Sequence, residues 1–512
     1  MNGARALLST LGANGVSVCF ANPGTSEMHF VAALDETPEM KAVLCLFEGV
    51  ATGAADGYAR VSGTPAATLL HLGPGLANGW ANLHNARRAH TPIVNIVGDH
   101  ATYHAIHDAP LQSNIESLAE PLEGWYRRSV VSASLATDVA DAVAASYGPP
   151  GRVATLVLPA DVSWNQVDVP SAWPMAPEPS LVDVGDEELS LAEHVLRTRR
   201  TVLLLGGSLT RRHLDLAHRI GAATSARVMT ETFPTIVEGG GTERLNYLSE
   251  FALDQLKDAE TVILVGAREP VGFFAYPNVP SRLVPDGAEI IDLVAPGGDV
   301  GPALEALADA LHAPPLAHAL MGPPPAPSGD LTTHSLAEAV VATLPEGVII
   351  ADESNTSGIH LPALLGLAPS HHWMTLTGGS IGFGLPLALG AAVASKRRVL
   401  ALESDGSMMY TPQALWSMAR EGLDVTVVGL SNRSYAILNF ELSRVGAHAD
   451  GDASARLLNI DDPTLDLAGM ATSLGVPSER ATTADELVTA LQRSYATPGP
   501  TFIEAVLPKR FG

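Results

Sequence analysis

The stretch Arg398-Val-Leu-Ala-Leu-Glu-Ser-Asp-Gly-Ser407 decides how the chain is read. Five residues of strand-forming character end in a small polar turn. A helical stretch over Pro412–Glu421 follows, then a second apolar run, Asp424–Leu430, that closes on Ser431-Asn-Arg-Ser-Tyr435. Strand, helix, strand in that order makes two parallel neighbours joined by a crossover. Asp405 and Asn432, 27 residues apart, then stand at the carboxyl ends of successive strands, where open α/β sheets bind ligands. A carboxylate, an amide oxygen and a nearby backbone carbonyl form a hard oxygen set suited to Mg²⁺, with diphosphate oxygens and water completing an octahedron. Gly406 and Ser407 add backbone N–H groups at a helix start, where phosphate is favoured.

The same alternation extends outward through the 512 residues. Strands are predicted at Val16–Phe20, Lys41–Phe47, Ala66–Leu70, Ile93–Val97 and Val153–Leu158, with helices at Gly49–Val61 and Leu76–His90. Four prolines between Pro170 and Pro179 interrupt the pattern. A second block has strands at Thr201–Leu205, Thr261–Val265 and Glu289–Leu293, and Gly322-Pro-Pro-Pro-Ala-Pro327 marks its end. The third has Gly347–Ala351, Val399–Glu403 and Val425–Leu430. The expectation is an α/β protein of three doubly wound parallel-sheet domains, 1–169, 185–315 and 331–512, with a Pro-rich linker over 316–330.

Thirty basic against 55 acidic residues give a net charge of −25, which argues against nucleic acid and anionic lipid as partners. The two cysteines, Cys19 and Cys45, make no disulfide framework, so a cytoplasmic location is expected. Residues Met1–Leu11 read as a first helix rather than a leader. The longest apolar run, Ile381–Ala394, has 14 residues and contains Pro386, too short to cross a membrane.

Asp405-Gly-Ser407 with Asn432 resembles the metal-binding signature of thiamin-diphosphate enzymes, Gly-Asp-Gly followed by Asn-Asn, with Ser404 and Ser431 replacing the first residue of each pair. The resemblance implies Mg²⁺ held by Asp405, Asn432 and the carbonyl of Ser434, with Gly406, Ser407, Ser434 and Tyr435 beside the diphosphate. The first domain would then be the pyrimidine-binding one and the third the diphosphate-binding one. Other stretches match in the right order. Glu48 in Leu46-Phe-Glu-Gly-Val50 resembles the glutamate that holds a proton at N1′ of the aminopyrimidine, favouring the tautomer that activates thiazolium C2. Thr377-Gly-Gly-Ser-Ile-Gly-Phe383 resembles the segment beneath the cofactor, with the Gly379 carbonyl accepting from N4′, Ser380 adjoining, and Ile381 as the wedge that bends the cofactor. Asn355 and Thr356 in Asp352-Glu-Ser-Asn-Thr356 would face the diphosphate.

Phe20-Ala-Asn-Pro-Gly-Thr-Ser-Glu27 and Leu69-Leu-His-Leu-Gly-Pro-Gly75 are similar to the benzoylformate decarboxylase and acetolactate synthase branches of this family. Thr25 and His71 match active-site positions, implying that Thr25 positions the substrate carboxylate and His71 moves protons. The decarboxylase's second histidine has no counterpart; Phe273-Phe-Ala-Tyr276 stands in that region. His104, His107, Pro110 and Leu111, in the segment after Gly98, are candidates to line the substrate pocket. Over its whole length the chain is most similar to acetolactate-synthase-like large subunits.

The resemblance implies a 2-oxo acid substrate, loss of CO₂, and ligation of the resulting enamine to a second carbonyl. The alternatives are simple decarboxylation and a non-catalytic, regulatory homologue. It also implies a homodimer or homotetramer, with Glu48 of one chain and Asp405 of another at each site. FAD, which the acetolactate synthase branch often carries, is not expected, because no flavin fingerprint is present. Gly378-Gly-Ser-Ile-Gly382 also fits the G-x-S-x-G turn of α/β-hydrolases, but His448 is the one downstream histidine available to it.

Overall fold

Alternation along each strand decides which side chains meet which helix. In the first sheet, Cys19, Ala67, Leu69, Val94 and Ile96 turn toward Leu7, Leu8 and Leu11 of the helix Gly3–Ala13 and Val139 and Val143 of Leu135–Tyr147. Their neighbours Phe20, Ala66, Leu70, Ile93 and Val97 turn the other way, onto the helices Glu48–Ser62 and Leu72–Ala89. A sheet apolar on both faces must be covered on both, and this one is. A computed structural model of the chain describes residues 1–177, 184–316, 322–447, 449 and 451–509.

The first sheet is wholly parallel, in the order Lys41–Leu44, Val18–Ala21, Ala66–Leu70, Ile93–Asp99, Val153–Pro159, Trp125–Arg128. A second parallel sheet orders Glu243–Arg244, Arg227–Thr230, Thr201–Leu205, Thr261–Val265, Glu289–Val294. The third runs Ser478–Ala481, Thr501–Val506, Val425–Ser431, Val399–Ser404, Val348–Glu353, His371–Met374, and those six strands are parallel. The α/β architecture is the one the alternation predicts.

The third sheet departs from a purely parallel one. Ile236–Glu238 pairs antiparallel with His371–Met374, and Ser208–Leu209 pairs parallel beyond it. The middle of the chain thus lends two short strands to the last sheet, closing an edge that would otherwise expose unpaired backbone. Three smaller departures are local. The run Lys41–Phe47 leaves the sheet at Leu44, and Phe47 precedes the helix that opens at Glu48. The helix expected from Pro412 opens at Gln413 and is preceded by a short helix, Asp405–Met408. Residues 170–177 have no regular structure but are strapped to the first helix, where Asn14 donates to the Pro174 carbonyl (2.9 Å) and accepts from the Ala176 N–H (2.6 Å). Of the Pro-rich stretches, residues 178–183 and 317–321 lie outside the described residues, as does His448.

Two helices carry the first and third sheets against one another. Glu48–Ser62 and Gly384–Ser395 cross where side chains are missing: a Cβ on Gly390 would lie 1.8 Å from the Ala54 carbonyl oxygen, and one on Gly57 2.0 Å from that of Leu387. Neither obstacle is a side chain that can swing away. Gly390→Ala is therefore expected to destabilise by roughly 3 kcal/mol, the upper part of the range for overpacked interiors, seen as a lower thermal midpoint. An unchanged midpoint would contradict this packing. Beside the crossing, Arg60 grips Asp56 through two bonds (2.8 and 2.7 Å) and donates onward to the carbonyls of Thr235 (3.1 Å) and Thr375 (2.9 Å). One buried guanidinium thus ties all three sheet units together.

Candidate active site

The first cluster gathers at the carboxyl ends of the first sheet. The strand Ala66–Leu70 delivers His71 to the start of the helix Leu72–Ala89, and Val18–Ala21 leads into the turn Thr25–Glu27. There Glu27 is fully buried, and its Oε2 lies 2.8 Å from His71 Nδ1 while accepting the Gly24 N–H (2.6 Å). Ser26 Oγ donates to the other oxygen (2.8 Å). A carboxylate against Nδ1 fixes the tautomer with the proton at Nδ1, leaving Nε2 to act. The fit needs two glycines: a Cβ on Gly24 would strike the His71 ring at 2.3 Å, and one on Gly98 would lie 1.6 Å from Glu27 Oε1.

Glu48 opens its helix in the same region. It is 6% exposed, and Asn78 Nδ2 donates to its Oε2 (3.0 Å). A Cβ on Gly75 would meet Glu48 Oε1 at 3.1 Å and the His71 Cβ at 3.5 Å, so Glu48 and His71 flank one glycine. Thr25 stands exposed on the neighbouring turn. His104, His107, Pro110 and Leu111 are all exposed, and the His100, His104 and His107 rings follow one another at 5.3 and 5.7 Å between centroids rather than packing on His71.

The second cluster sits at the carboxyl ends of the third sheet. Asp405 is buried; its two oxygens accept the N–H groups of Gly406 (2.9 Å) and Arg433 (2.6 Å). Asn432 Oδ1 accepts the Ser434 N–H (2.9 Å), and its Nδ2 donates to Ser357 Oγ (3.3 Å). Asn355, with φ of +47°, donates to Ser407 Oγ (3.0 Å) and Ser404 Oγ (3.3 Å), and Thr356 follows it on the same turn. The Tyr435 ring closes on Gly406, leaving 2.5 Å to a Cβ there. Asn355, Ser404, Asp405, Gly406, Ser407, Asn432, Ser434 and Tyr435 are therefore one constellation. Among the described residues no hydrogen bond joins it to Glu48 or His71 of the same chain.

Between the two clusters runs the loop after His371–Met374. Gly379 has φ of +75°, and the Phe273 ring rests on it, 2.4 Å from where a Cβ would be. Phe273 belongs to an aromatic group with Phe233, Tyr247 and Phe274, at centroid separations of 5.0–6.3 Å. Ser380 is held by its backbone, whose N–H and carbonyl both bond the Asn85 side chain (3.1 and 2.8 Å), which is not the presentation of a nucleophile. Ile381 is half-buried against the shared core.

Asn78 and Glu353 carry no local motif that marks them, yet together with Glu27 they hold site residues in place. Glu353 pins the glycine loop by accepting the N–H groups of Gly382, Phe383 and Gly384 at 2.7–2.9 Å. Burial pushes its carboxyl up to about 7. Burial and the neighbouring Glu353 hold Glu403 protonated far above the usual carboxylate range. A Gly-Thr-Ser-Glu run capping its own turn was the available signal for Glu27.

Two parallel-sheet units each present a cluster of polar side chains at their strand ends, where open α/β sheets bind ligands. Comparison with known proteins agrees in detail. Residues 1–118 match the thiamine pyrophosphate enzyme N-terminal TPP binding domain, and residues 357–505 the C-terminal TPP binding domain. A Mycobacterium tuberculosis protein named as a candidate acetolactate synthase large subunit, IlvX, is 52% identical over the full length of both chains. Benzoylformate decarboxylase of Pseudomonas aeruginosa is 28% identical over 96% of each chain. Among solved structures, the thiamine diphosphate-dependent 4-hydroxybenzoylformate decarboxylase of Rhodococcus jostii RHA1 superposes with a TM-score of 0.85 over 100% of both chains, at 24% identity. The chain belongs to the thiamine pyrophosphate enzyme family, and is an enzyme of the acetolactate synthase and 2-oxo acid decarboxylase type.

Proposed function

We propose that this chain binds thiamin diphosphate with Mg²⁺ and decarboxylates a 2-oxo acid, His71 delivering the proton that completes an aldehyde product. The His71–Glu27 pair carries this reading, because a buried carboxylate on Nδ1 orients the ring and leaves Nε2 free to exchange a proton with the substrate.

The residues fit the cofactor on physical grounds. Asp405 is 2% exposed, and burial pushes its carboxyl up to about 6. A divalent cation answers that charge, and Asp405, Asn432 and the Ser434 carbonyl supply hard oxygens for it. Gly406, Ser407, Asn355, Thr356 and Tyr435 would hold the diphosphate end. Gly379, Ser380 and Ile381 would support the pyrimidine and thiazolium ends, and Glu48 would hold a proton at N1′. Bound thiamin diphosphate supplies an electron sink for the pair released with CO₂. Thr25 orients the substrate carboxylate, and Phe273 covers Gly379 where a second histidine would otherwise stand. The resemblance to this family implies that the working site is completed across two subunits of a homodimer or homotetramer, with Glu48 from one chain and Asp405 from the other. A flavin is not part of this proposal.

The 52% identity to a candidate acetolactate synthase subunit favours a second reading, ligation to another carbonyl in place of protonation. Glu27→Gln separates them. With protonation at stake, kcat for aldehyde release is expected to fall about 10²-fold, with KM little changed. If 2-hydroxyketone dominates the products of the wild-type enzyme, by mass spectrometry, the protonation reading is wrong.

A further inference from the structure

A cavity of about 420 Å³ lies where the three sheet units meet, away from both strand-end clusters. Apolar wall is supplied by Val61 from the first unit and by Leu209 and Ile236 from the second. Size, concavity and position at a domain junction are those of a small-molecule site.

Polar and charged side chains make up much of the remaining wall, and they are unevenly satisfied. Arg60 is spoken for by Asp56 and the two carbonyls already described. Arg397 is not: its Nε donates to the Gly347 carbonyl (2.7 Å) and its Nη2 to His372 Nδ1 (2.9 Å), and among the described residues no carboxylate pairs with it. Burial draws Arg397 down and Glu238 across the cavity partly offsets that, but no carboxylate among the described residues comes within salt-bridge distance of the guanidinium. The bond from Arg397 makes Nδ1 of His372 the acceptor, which puts the ring proton at Nε2 as a second donor. Burial and Arg397 both draw His372 below its usual range, so the ring is neutral at pH 7.

The remaining groups limit the charge. Glu238 stands directly opposite His372 across the antiparallel pair and accepts the Arg211 N–H (3.1 Å). The helices Glu48–Ser62 and Leu72–Ala89 both end at the cavity, under Gly63 and His90, and helix carboxyl ends carry partial negative charge. His90 is drawn down to about 4 by burial and by Arg268, so it adds no positive charge at pH 7. One unpaired cation facing a carboxylate and two helix ends suits a single negative charge better than two.

We infer that this junction is a binding site for a small organic monocarboxylate with an apolar body, held by Arg397 and His372 and touching all three units. A ligand that binds only the folded arrangement stabilises it by mass action.

The test is calorimetric titration of the holoenzyme with isobutyrate, which lacks the 2-oxo group the active site processes. Saturable binding is expected in the wild type and in His71→Ala, at least tenfold weaker in Arg397→Gln. Ser208→Phe, which fills the cavity from its exposed rim and keeps Arg397, is expected to lose binding equally, and decides the matter if Arg397→Gln does not fold. Inorganic phosphate is expected not to compete. No saturable binding in the wild type, equal binding in Ser208→Phe, or phosphate competing as well as isobutyrate would each overturn the assignment.

Discussion

Glu48→Gln is expected to reduce kcat for CO₂ release by about 10²–10⁴-fold, the contribution of a positioned proton-transfer group, while the thermal midpoint and cofactor affinity stay close to wild type. The asymmetry follows from how the side chain is held. Glu48 is buried at the first turn of its helix, Asn78 donates to one oxygen, and Gly75 leaves room beside the other. Glutamine has the same shape and keeps an oxygen for Asn78, so packing and fold survive. What it lacks is the negative charge that holds a proton on a ring nitrogen. An interaction that matters in the reacting state and not in binding appears in kcat rather than in affinity. A turnover equal to wild type would remove Glu48 from the chemistry.

Asp405→Ala is expected to act on the other side of that division, weakening thiamin diphosphate binding in the presence of Mg²⁺ by more than about 100-fold, since even outer-sphere partners of metal ligands cost 10–100-fold. Truncation removes an anionic ligand and also strands the N–H groups of Gly406 and Arg433, which share its two oxygens. Calorimetry of cofactor binding reads this directly, and affinity equal to wild type would contradict the site. Asp405→Asn keeps an acceptor for one of those N–H groups and separates loss of charge from loss of the turn. The two variants also test the shared site: mixed after dissociation, inactive Glu48→Gln and inactive Asp405→Ala chains should regain activity, because some interfaces then carry an intact Glu48 facing an intact Asp405.

Much of this was visible in the sequence, for identifiable reasons. Strands with continuous apolar runs, such as Ala66–Leu70, Thr201–Leu205 and Thr261–Val265, fall where the runs do, because burial on both faces leaves no other reading. Trp125–Arg128, Arg227–Thr230 and Ser478–Ala481 carry charged residues, and their pattern says little until a neighbour supplies the ladder. The antiparallel docking of Ile236–Glu238 on His371–Met374 is a long-range event with no local signature. The Asp405–Asn432 cluster was legible because strand ends and turn residues are local. Glu27 was not, because its importance lies in reaching His71, 44 residues away. Arg397 likewise reads as one more cation before a strand until the cavity around it is seen.

On this account the two clusters serve one cofactor and one reaction. The most direct test is CO₂ release from a panel of aliphatic and aromatic 2-oxo acids, measured with and without added thiamin diphosphate and Mg²⁺ on protein stripped of both. The expected result is release from at least one member of the panel that depends on both additions and is abolished in Glu48→Gln. Saturable binding of the cofactor with no CO₂ from any member would contradict it, and would leave the chain a non-catalytic member of its family.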